Sequence, residues 1–156
     1  MSLLMVRHAD AGDRAAWTGD DRRRPLSATG RRQAEALVEQ YADRDLQRIL
    51  SSPARRCTAT VEPVATARGL DVEEHEALAE GTPFDQIDRL LRELADSETD
   101  AVLCSHADVI GSIVTALRHR EVRLDDAPSA RKAATWIVDT WPDAGRVELL
   151  PNPDPG

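Results

Sequence analysis

Two histidines stand where short apolar runs of the sequence end. His8 follows the run 3–6 and Arg7, and His106 follows the run 101–104 and Ser105. Short apolar runs of this kind are typical of buried strands, so both histidines are predicted at strand ends. A neutral imidazole can act as a nucleophile or base, and a protonated one can act as an acid. We therefore treat both as candidate catalytic residues, with Arg7 as a candidate anion ligand.

A third segment places positive charge at the start of a predicted helix. Ser52 and Pro53 are typical of an N-cap and a first helical residue, and Arg55 and Arg56 follow them. The free amides of a helix N-terminus favour an anion, and a guanidinium donates paired hydrogen bonds to phosphate. We predict that Arg56 binds an anion and that Arg55 points into solvent.

A carboxylate is available from Glu80, within the segment 77–81. Together with the two imidazoles and the guanidiniums, it would complete a set comprising a nucleophile, an anion clamp and a general acid. Other acidic residues crowd the same stretch of sequence, so a solvated acidic loop is the alternative interpretation of Glu80.

The elements that must position these side chains alternate between strand and helix. Periodicity and capping residues predict strands at 2–6, 48–51, 70–72 and 101–104, helices at 29–42, 52–68, 85–95 and 108–118, and a strand pair at 134–140 and 146–150 around a turn at 143–145. This alternation predicts an α/β fold, a three-layer α/β/α sandwich with a mostly parallel central sheet and its site at the carboxyl ends of the strands. Residues 1–150 are expected to form one domain, followed by a flexible tail at 151–156.

Composition excludes several classes of function. The 156 residues carry a formal net charge of −8, which argues against the basic surface that a nucleic-acid polymer or an anionic membrane requires. No apolar run reaches the length of a membrane span, and no secretory leader is visible. The only cysteines, Cys57 and Cys104, lack the spacing of a disulfide framework or a zinc site. We expect a cytoplasmic protein that binds neither nucleic-acid polymer nor membrane, and nothing in the sequence indicates its oligomeric state.

Four motifs occur in the order seen in a known family. They are Leu-Met-Val-Arg-His-Ala at 4–9, Arg-Pro-Leu-Ser-Ala-Thr-Gly at 24–30 with Gln-Ala at 33–34, Ser-Ser-Pro-x-x-Arg at 51–56 with Thr60, and Cys-Ser-His at 104–106. Together they resemble the motifs of the histidine phosphatase superfamily, which has the phosphoglycerate mutase-like fold. The resemblance runs from about residue 3 to residue 140. The short chain resembles SixA-type phosphohistidine phosphatases and the phosphatase domain fused to some Nudix hydrolases.

The resemblance implies a role for each candidate site residue. His8 is implied to be the nucleophile that becomes phosphorylated, and Glu80 the proton donor to the leaving group. Around the transferring phosphoryl group it places Arg7, Arg56, His106, Ser105 and Ala107. Asp10 and Asp108 stay open as alternative acids. The resemblance implies no metal and no cofactor.

The sequence also departs from the family's commonest pattern. Ala9 stands where a glycine is expected after the histidine, and the residues after Ala9 do not match the phosphate-contacting set of the mutases. We therefore expect a metal-independent phosphatase that acts on a phosphohistidine protein, or alternatively on a small phosphorylated metabolite or nucleotide. For a nucleotide, the segment 17–24 and the residues Arg131, Lys132 and Trp136 could bind the base and phosphates, although Trp136 fits a core position better. A hypothesis of another class is a catalytically weak module that binds a phosphorylated ligand.

Overall fold

Six strands form one central sheet in a computed structural model that describes residues 1–120, 131–143 and 146–154. The strands are β1 (Ser2–Arg7), β2 (Arg48–Ser51), β3 (Val72–Glu74), β4 (Ala101–Ser105), β5 (Thr135–Asp139) and β6 (Arg146–Leu150). Their order across the sheet is β3-β2-β4-β1-β5-β6. The four strands β1 to β4 pair in parallel, whereas β5 pairs antiparallel with both β1 and β6. The sheet is therefore mostly parallel, as predicted.

Helices cover both faces of the sheet. They are α1 (Ala28–Gln40), α2 (Arg55–Arg68), α3 (Phe84–Asp96) and α4 (Ala107–His119). Alternate residues of β1 point to opposite faces. Leu3 and Met5 pack in one apolar cluster with α3 and α4, while Leu4 and Val6 pack in another with α1 and α2. Because the central strand is buried on both faces, it is apolar almost throughout, and the three-layer prediction is confirmed.

Capping residues explain where α1 begins and where α2 ends. The Ser27 hydroxyl accepts a hydrogen bond from the Gly30 amide at 3.0 Å and caps α1. Gly69 ends α2 in the left-handed conformation, with φ of 64°. The predicted start of α2 is wrong, because its N-cap is Ala54 rather than Ser52. Pro53 consequently lies before the helix, and the Ser52 hydroxyl is used elsewhere.

The carboxyl-terminal region is described only in part. The predicted strand pair is present as β5 and β6, but residues 144–145 of the turn between them lie outside the described residues, as do 155–156 of the tail. The described part of the tail contacts α1, since Gln40 donates a hydrogen bond to the Pro151 carbonyl at 3.0 Å and Arg32 lies 3.5 Å from Asp154. Within the described residues, no helix combines the length and apolar character needed to cross a bilayer.

Candidate active site

Three neighbouring parallel strands bring the predicted site residues together. His8 follows β1, Ser52 follows β2, and His106 follows β4, and these strands are adjacent in the order β2-β4-β1. Arg56 lies in the first turn of α2, directly after β2. The carboxyl ends of parallel strands meet at one edge of the sheet, which is where such folds place their sites.

His8 is buried and held in one tautomer. Its Nδ1 lies 2.8 Å from the Ala9 carbonyl oxygen; a carbonyl only accepts, so Nδ1 carries the proton and Nε2 keeps its lone pair. Burial lowers the pKa of His8 to about 3, against the opposing Ala9 hydrogen bond, and electrostatic interactions with His106, Arg7 and Arg56 lower it further. His8 is therefore neutral at physiological pH, the state that a nucleophile requires.

Arg56 is a guanidinium enclosed by the protein, with only 1% of its surface exposed. Its Nη1 donates to the Asp21 carbonyl at 2.9 Å, and its Nη2 lies 3.0 Å from Asp21 Oδ2 and 3.3 Å from Glu80 Oε2. In the part of the chain that the structure describes, its buried Nε has no hydrogen-bond partner. An unpaired buried donor costs about 1–3 kcal/mol, and a bound anion would remove that cost.

His106 faces His8 across the site. The two ring centroids are 5.5 Å apart and the rings meet edge to face. Nε2 of His106 lies 2.9 Å from Ser52 Oγ, and Nδ1 lies 3.4 Å from Nη2 of Arg56. We call His8, Arg56 and His106 the floor of the site, because all three are buried at the ends of the parallel strands.

A second layer of charged side chains surrounds the floor. Arg14 Nη2 lies 3.0 Å from Glu80 Oε1, and Arg14 Nε lies 3.4 Å from Asp21 Oδ1. Through Asp21 and Glu80 this layer contacts Arg56 of the floor. We call Arg14, Asp21 and Glu80 the rim. Glu80, the acid predicted from the sequence, thus lies beside the Arg56 guanidinium.

The two alternative acids are engaged elsewhere. Asp10 Oδ1 lies 2.8 Å from Lys132 Nζ, and Asp10 Oδ2 accepts from the Ser27 hydroxyl at 2.5 Å. These two hydrogen bonds lower the pKa of Asp10 to about 2. Asp108 accepts a hydrogen bond from the Gly81 amide at 2.7 Å, and so holds the turn that follows Glu80.

The remaining predicted site residues lie at the ends of β1 and β4 and at the start of α4. The Ser105 carbonyl accepts a hydrogen bond from the His8 amide at 3.0 Å, while its hydroxyl donates to the Leu78 carbonyl at 2.6 Å. Ala107 is the first residue of α4 and is exposed. Arg7 ends β1 and is half-buried, with its backbone bonded to residues 133 and 134.

Several contacts at the site were not predicted from the sequence. Thr60 Oγ1 accepts from the Ala9 amide at 2.9 Å and donates to the Arg56 carbonyl at 2.6 Å, so it links the segment that follows His8 to α2. Asp21 and Ser52 touch the floor directly. The signal that could have found Ser52 is its position, one residue past β2, which matches the position of His8 after β1.

The residues that the sequence suggested for binding a nucleotide range from fully buried to exposed. Trp136 is 1% exposed and belongs to the core, as the sequence favoured. Lys132 is engaged by Asp10, and Arg131 is exposed. Trp17 is 38% exposed, and its indole N–H donates to the Asp20 carbonyl at 3.0 Å. Across residues 1–120, 131–143 and 146–154, no group of three or more His, Cys, Asp or Glu side chains could hold a metal ion.

The sequence was compared with protein families and with characterised proteins. Residues 3–83, just over half of the chain, match the model of the histidine phosphatase superfamily, branch 1. An 8-oxo-(d)GTP phosphatase of Mycolicibacterium smegmatis is 31% identical over 140 residues, covering 88% of this chain and 44% of that protein. The chain thus spans less than half the length of the curated relatives it matches.

The fold was also compared with solved structures. A protein histidine phosphatase SixA complexed with tungstate superimposes with a TM-score of 0.74 at 23% identity, covering 89% of this chain and 88% of the other. A putative phosphohistidine phosphatase SixA from Agrobacterium tumefaciens gives a TM-score of 0.76 at 22% identity, covering 96% and 97%. These matches confirm the predicted phosphoglycerate mutase-like fold.

Proposed function

Because the chain belongs to the histidine phosphatase superfamily, we propose that it hydrolyses phosphate compounds through a phosphohistidine formed on His8. One observation carries this proposal. A neutral imidazole with its Nε2 unprotonated stands in a buried site beside a guanidinium that has an unpaired Nε. Phosphoryl transfer spreads negative charge over three equatorial oxygens, and fixed donors around the nucleophile stabilise that charge. The tungstate bound in the related SixA fold, a tetrahedral oxyanion, fits the same interpretation.

The reaction consists of two displacements at phosphorus. Nε2 of His8 forms a bond to phosphorus while the bond to the leaving oxygen or nitrogen breaks, and the leaving group takes a proton. Water then attacks the phosphohistidine, which releases inorganic phosphate and returns the electron pair to Nε2. Arg56, His106 and Arg7 surround the phosphoryl oxygens in both steps, and no metal or cofactor takes part.

Glu80 is our choice for the proton donor. It contacts Arg56 at 3.3 Å, and 43% of its side chain is exposed, so it can exchange protons with water. Asp10 is the weaker candidate because Lys132 and Ser27 hold its two carboxylate oxygens, and none of its described contacts joins it to the floor. The Asp108 carboxylate accepts a hydrogen bond from the Gly81 amide and so fixes the turn that follows Glu80.

We infer that the substrate is a small phosphorylated molecule, with a nucleoside phosphate as the first choice. Two observations favour it over a phosphohistidine protein. Two ion pairs hold the segment 13–24 against the site, because Asp21 contacts Arg56 and Arg14 contacts Glu80, and a rim in this place favours a small ligand over a folded protein domain. A sequence relative that matches 88% of this chain is an 8-oxo-(d)GTP phosphatase, whereas the likeness to SixA lies in the fold. A phosphohistidine protein is the alternative substrate.

The proposal is tested by trapping the phosphoenzyme. The protein and its His8→Ala variant are mixed briefly with an aryl phosphate, quenched, and measured by intact mass. We expect one acid-labile, base-stable phosphoryl group on the wild-type protein and none on the variant, which should also lose turnover. Turnover by His8→Ala, or turnover without an adduct in rapid-quench samples, would overturn the covalent mechanism. Binding of vanadate without any turnover would favour the phosphoryl-ligand module.

The substrate class is then decided by comparison of specificity constants. We expect kcat/KM for nucleoside diphosphates and triphosphates to exceed that for a phosphohistidine-bearing protein domain and for simple sugar phosphates. A higher value for the phosphohistidine domain would assign the alternative substrate without affecting the proposed mechanism.

A further inference from the structure

Ser52 is a buried serine that contacts the ring of His106. The Ser52 side chain is 1% exposed and the His106 ring 3% exposed, so water does not compete for their contact. The hydroxyl oxygen is 2.9 Å from Nε2 of His106 and also accepts from the Ala54 amide at 3.3 Å. Cys57 Sγ lies 3.6 Å from the same Nε2. One nitrogen of His106 is therefore enclosed by two buried acceptors.

The other nitrogen of His106 reveals which tautomer is present. Nδ1 lies 3.4 Å from Nη2 of Arg56, and a guanidinium can only donate hydrogen bonds. Nδ1 must therefore present a lone pair in this state, which leaves the proton of the neutral ring on Nε2. That proton points to Ser52, with the Cys57 sulfur as a weaker second acceptor.

We propose that Ser52 is a positioning residue that holds the proton of His106 on Nε2 and so keeps Nδ1 directed at the phosphoryl site. This inference rests on the proposed phosphatase function. His8 and His106 then use opposite nitrogens, since His8 is anchored through Nδ1 to the Ala9 carbonyl and presents Nε2. When a phosphoryl oxygen approaches, Nδ1 can take up a proton from water and donate it in a hydrogen bond to that oxygen, while the other proton stays on Nε2, hydrogen-bonded to Ser52.

Ser52 does not cap α2, and this supports its assignment to His106. Ser52 and Pro53 have the sequence of a helix start, yet α2 begins at Arg55 with no side-chain cap. The hydroxyl that a helix N-terminus would use is placed under His106 instead. Such indirect partners of a reactive histidine typically change activity about 10–100-fold when removed, in the well-studied case of metal ligands.

The test reads the tautomer of His106 directly. The chain has 4 histidines, so the ring nitrogens of ¹⁵N-histidine-labelled protein can be assigned with His8→Ala and His106→Gln variants. In the resting wild-type protein we expect His106 protonated on Nε2 and His8 protonated on Nδ1. In Ser52→Ala, the Nε2 preference of His106 should weaken, and kcat/KM should fall by about 10–100-fold.

Controls separate positioning from a structural role. Ser51 is a neighbouring buried serine whose hydroxyl donates to the Ser52 carbonyl at 2.8 Å, and Ser51→Ala should leave the His106 tautomer unchanged. Cys57→Ala should shift the His106 resonances less than Ser52→Ala does. The proposal is overturned if resting His106 is protonated on Nδ1, or if Ser52→Ala leaves the tautomer unchanged at any level of activity. Because the spectra need no turnover, this failure is distinct from failure of the phosphatase proposal.

Discussion

The floor and the rim of the site are both built from polar and ionisable side chains, but the two layers differ in their exposure to water. His8, Arg56 and His106 of the floor are 6%, 1% and 3% exposed. In the rim, the side chains of Arg14, Asp21 and Glu80 are 57%, 38% and 43% exposed. The floor is also anchored by backbone carbonyls and buried hydroxyls, whereas Arg14 is paired only with the exposed carboxylates of Asp21 and Glu80 among its described contacts.

This difference assigns different tasks to the two layers. Exposed ion pairs contribute little because water and salt screen them. Buried donors cannot reorient and act at full strength on charge that develops beside them. In the proposed mechanism, the floor stabilises the transition state, and the rim is an entrance whose carboxylates a ligand can displace from Arg56.

Removal of the buried guanidinium should have the largest effect. Arg56→Ala deletes a donor fixed beside the nucleophile, and loss of one such donor typically costs about 10²–10³ in rate. We expect kcat/KM for an aryl phosphate to fall by that factor, with the fold retained by circular dichroism. Arg55→Ala is the matched control, because Arg55 is half exposed and pairs with Glu62 on the surface of α2. Similar losses of kcat/KM in both variants would show that the buried Arg56 is no more important for activity than the exposed Arg55.

A substitution behind the floor should have an intermediate effect. A Cβ at Gly30 of α1 would lie 1.9 Å from the Asp10 carbonyl oxygen, so Gly30→Ala must displace the backbone that follows His8. Overpacking of this kind typically costs about 1–3 kcal/mol. We expect that loss in the free energy of unfolding by urea titration, together with reduced kcat/KM.

The control for Gly30 is a glycine with space around it. A Cβ at Gly111 of α4 would meet no atom within 4 Å, so Gly111→Ala should stabilise the helix by about 0.5–1 kcal/mol. Equal effects at the two glycines would show that helix propensity, rather than the close approach to Asp10, controls the result at Gly30.

Changes in the rim should have the smallest effect. Arg14→Ala removes exposed ion pairs, which are worth at most about 1 kcal/mol, so kcat/KM should change by no more than about fivefold. The difference from wild type should shrink as salt concentration rises, because salt screens exposed charges. Arg32→Ala, which removes an exposed arginine from α1, is the control for net charge. A loss of kcat/KM as large as that of Arg56→Ala would show that Arg14 contributes to catalysis as strongly as the buried guanidinium does.

Much of the fold and the floor could be predicted because their signals are local in sequence. Apolar runs mark β1 and β4, and the polar residues directly after them, His8 and His106, had to meet at one edge of a parallel sheet. The family of phosphatases predicted from the motifs is confirmed by the family match over residues 3–83. The roles assigned to individual side chains remain predictions for the experiments above.

What could not be predicted depends on contacts between distant segments. Asp21 lies in a segment without periodicity, and its contact with Arg56 spans 35 residues of sequence. The start of α2 was predicted two residues early because Ser52 and Pro53 fit local capping rules, whereas His106 competes for the same hydroxyl. Local propensity cannot report a tertiary partner of this kind.

The place of β1 in the sheet also bears on how the protein moves. β1 is paired on one side with β4 and on the other with β5, so its amides should open to hydrogen exchange only when both ladders separate, which approaches global unfolding. The segment 13–23 forms two short 3₁₀ turns with no buried residue, so we expect it to open locally at much lower free energy. We therefore expect the entrance to open without β1, so that His8 stays in place while the rim moves.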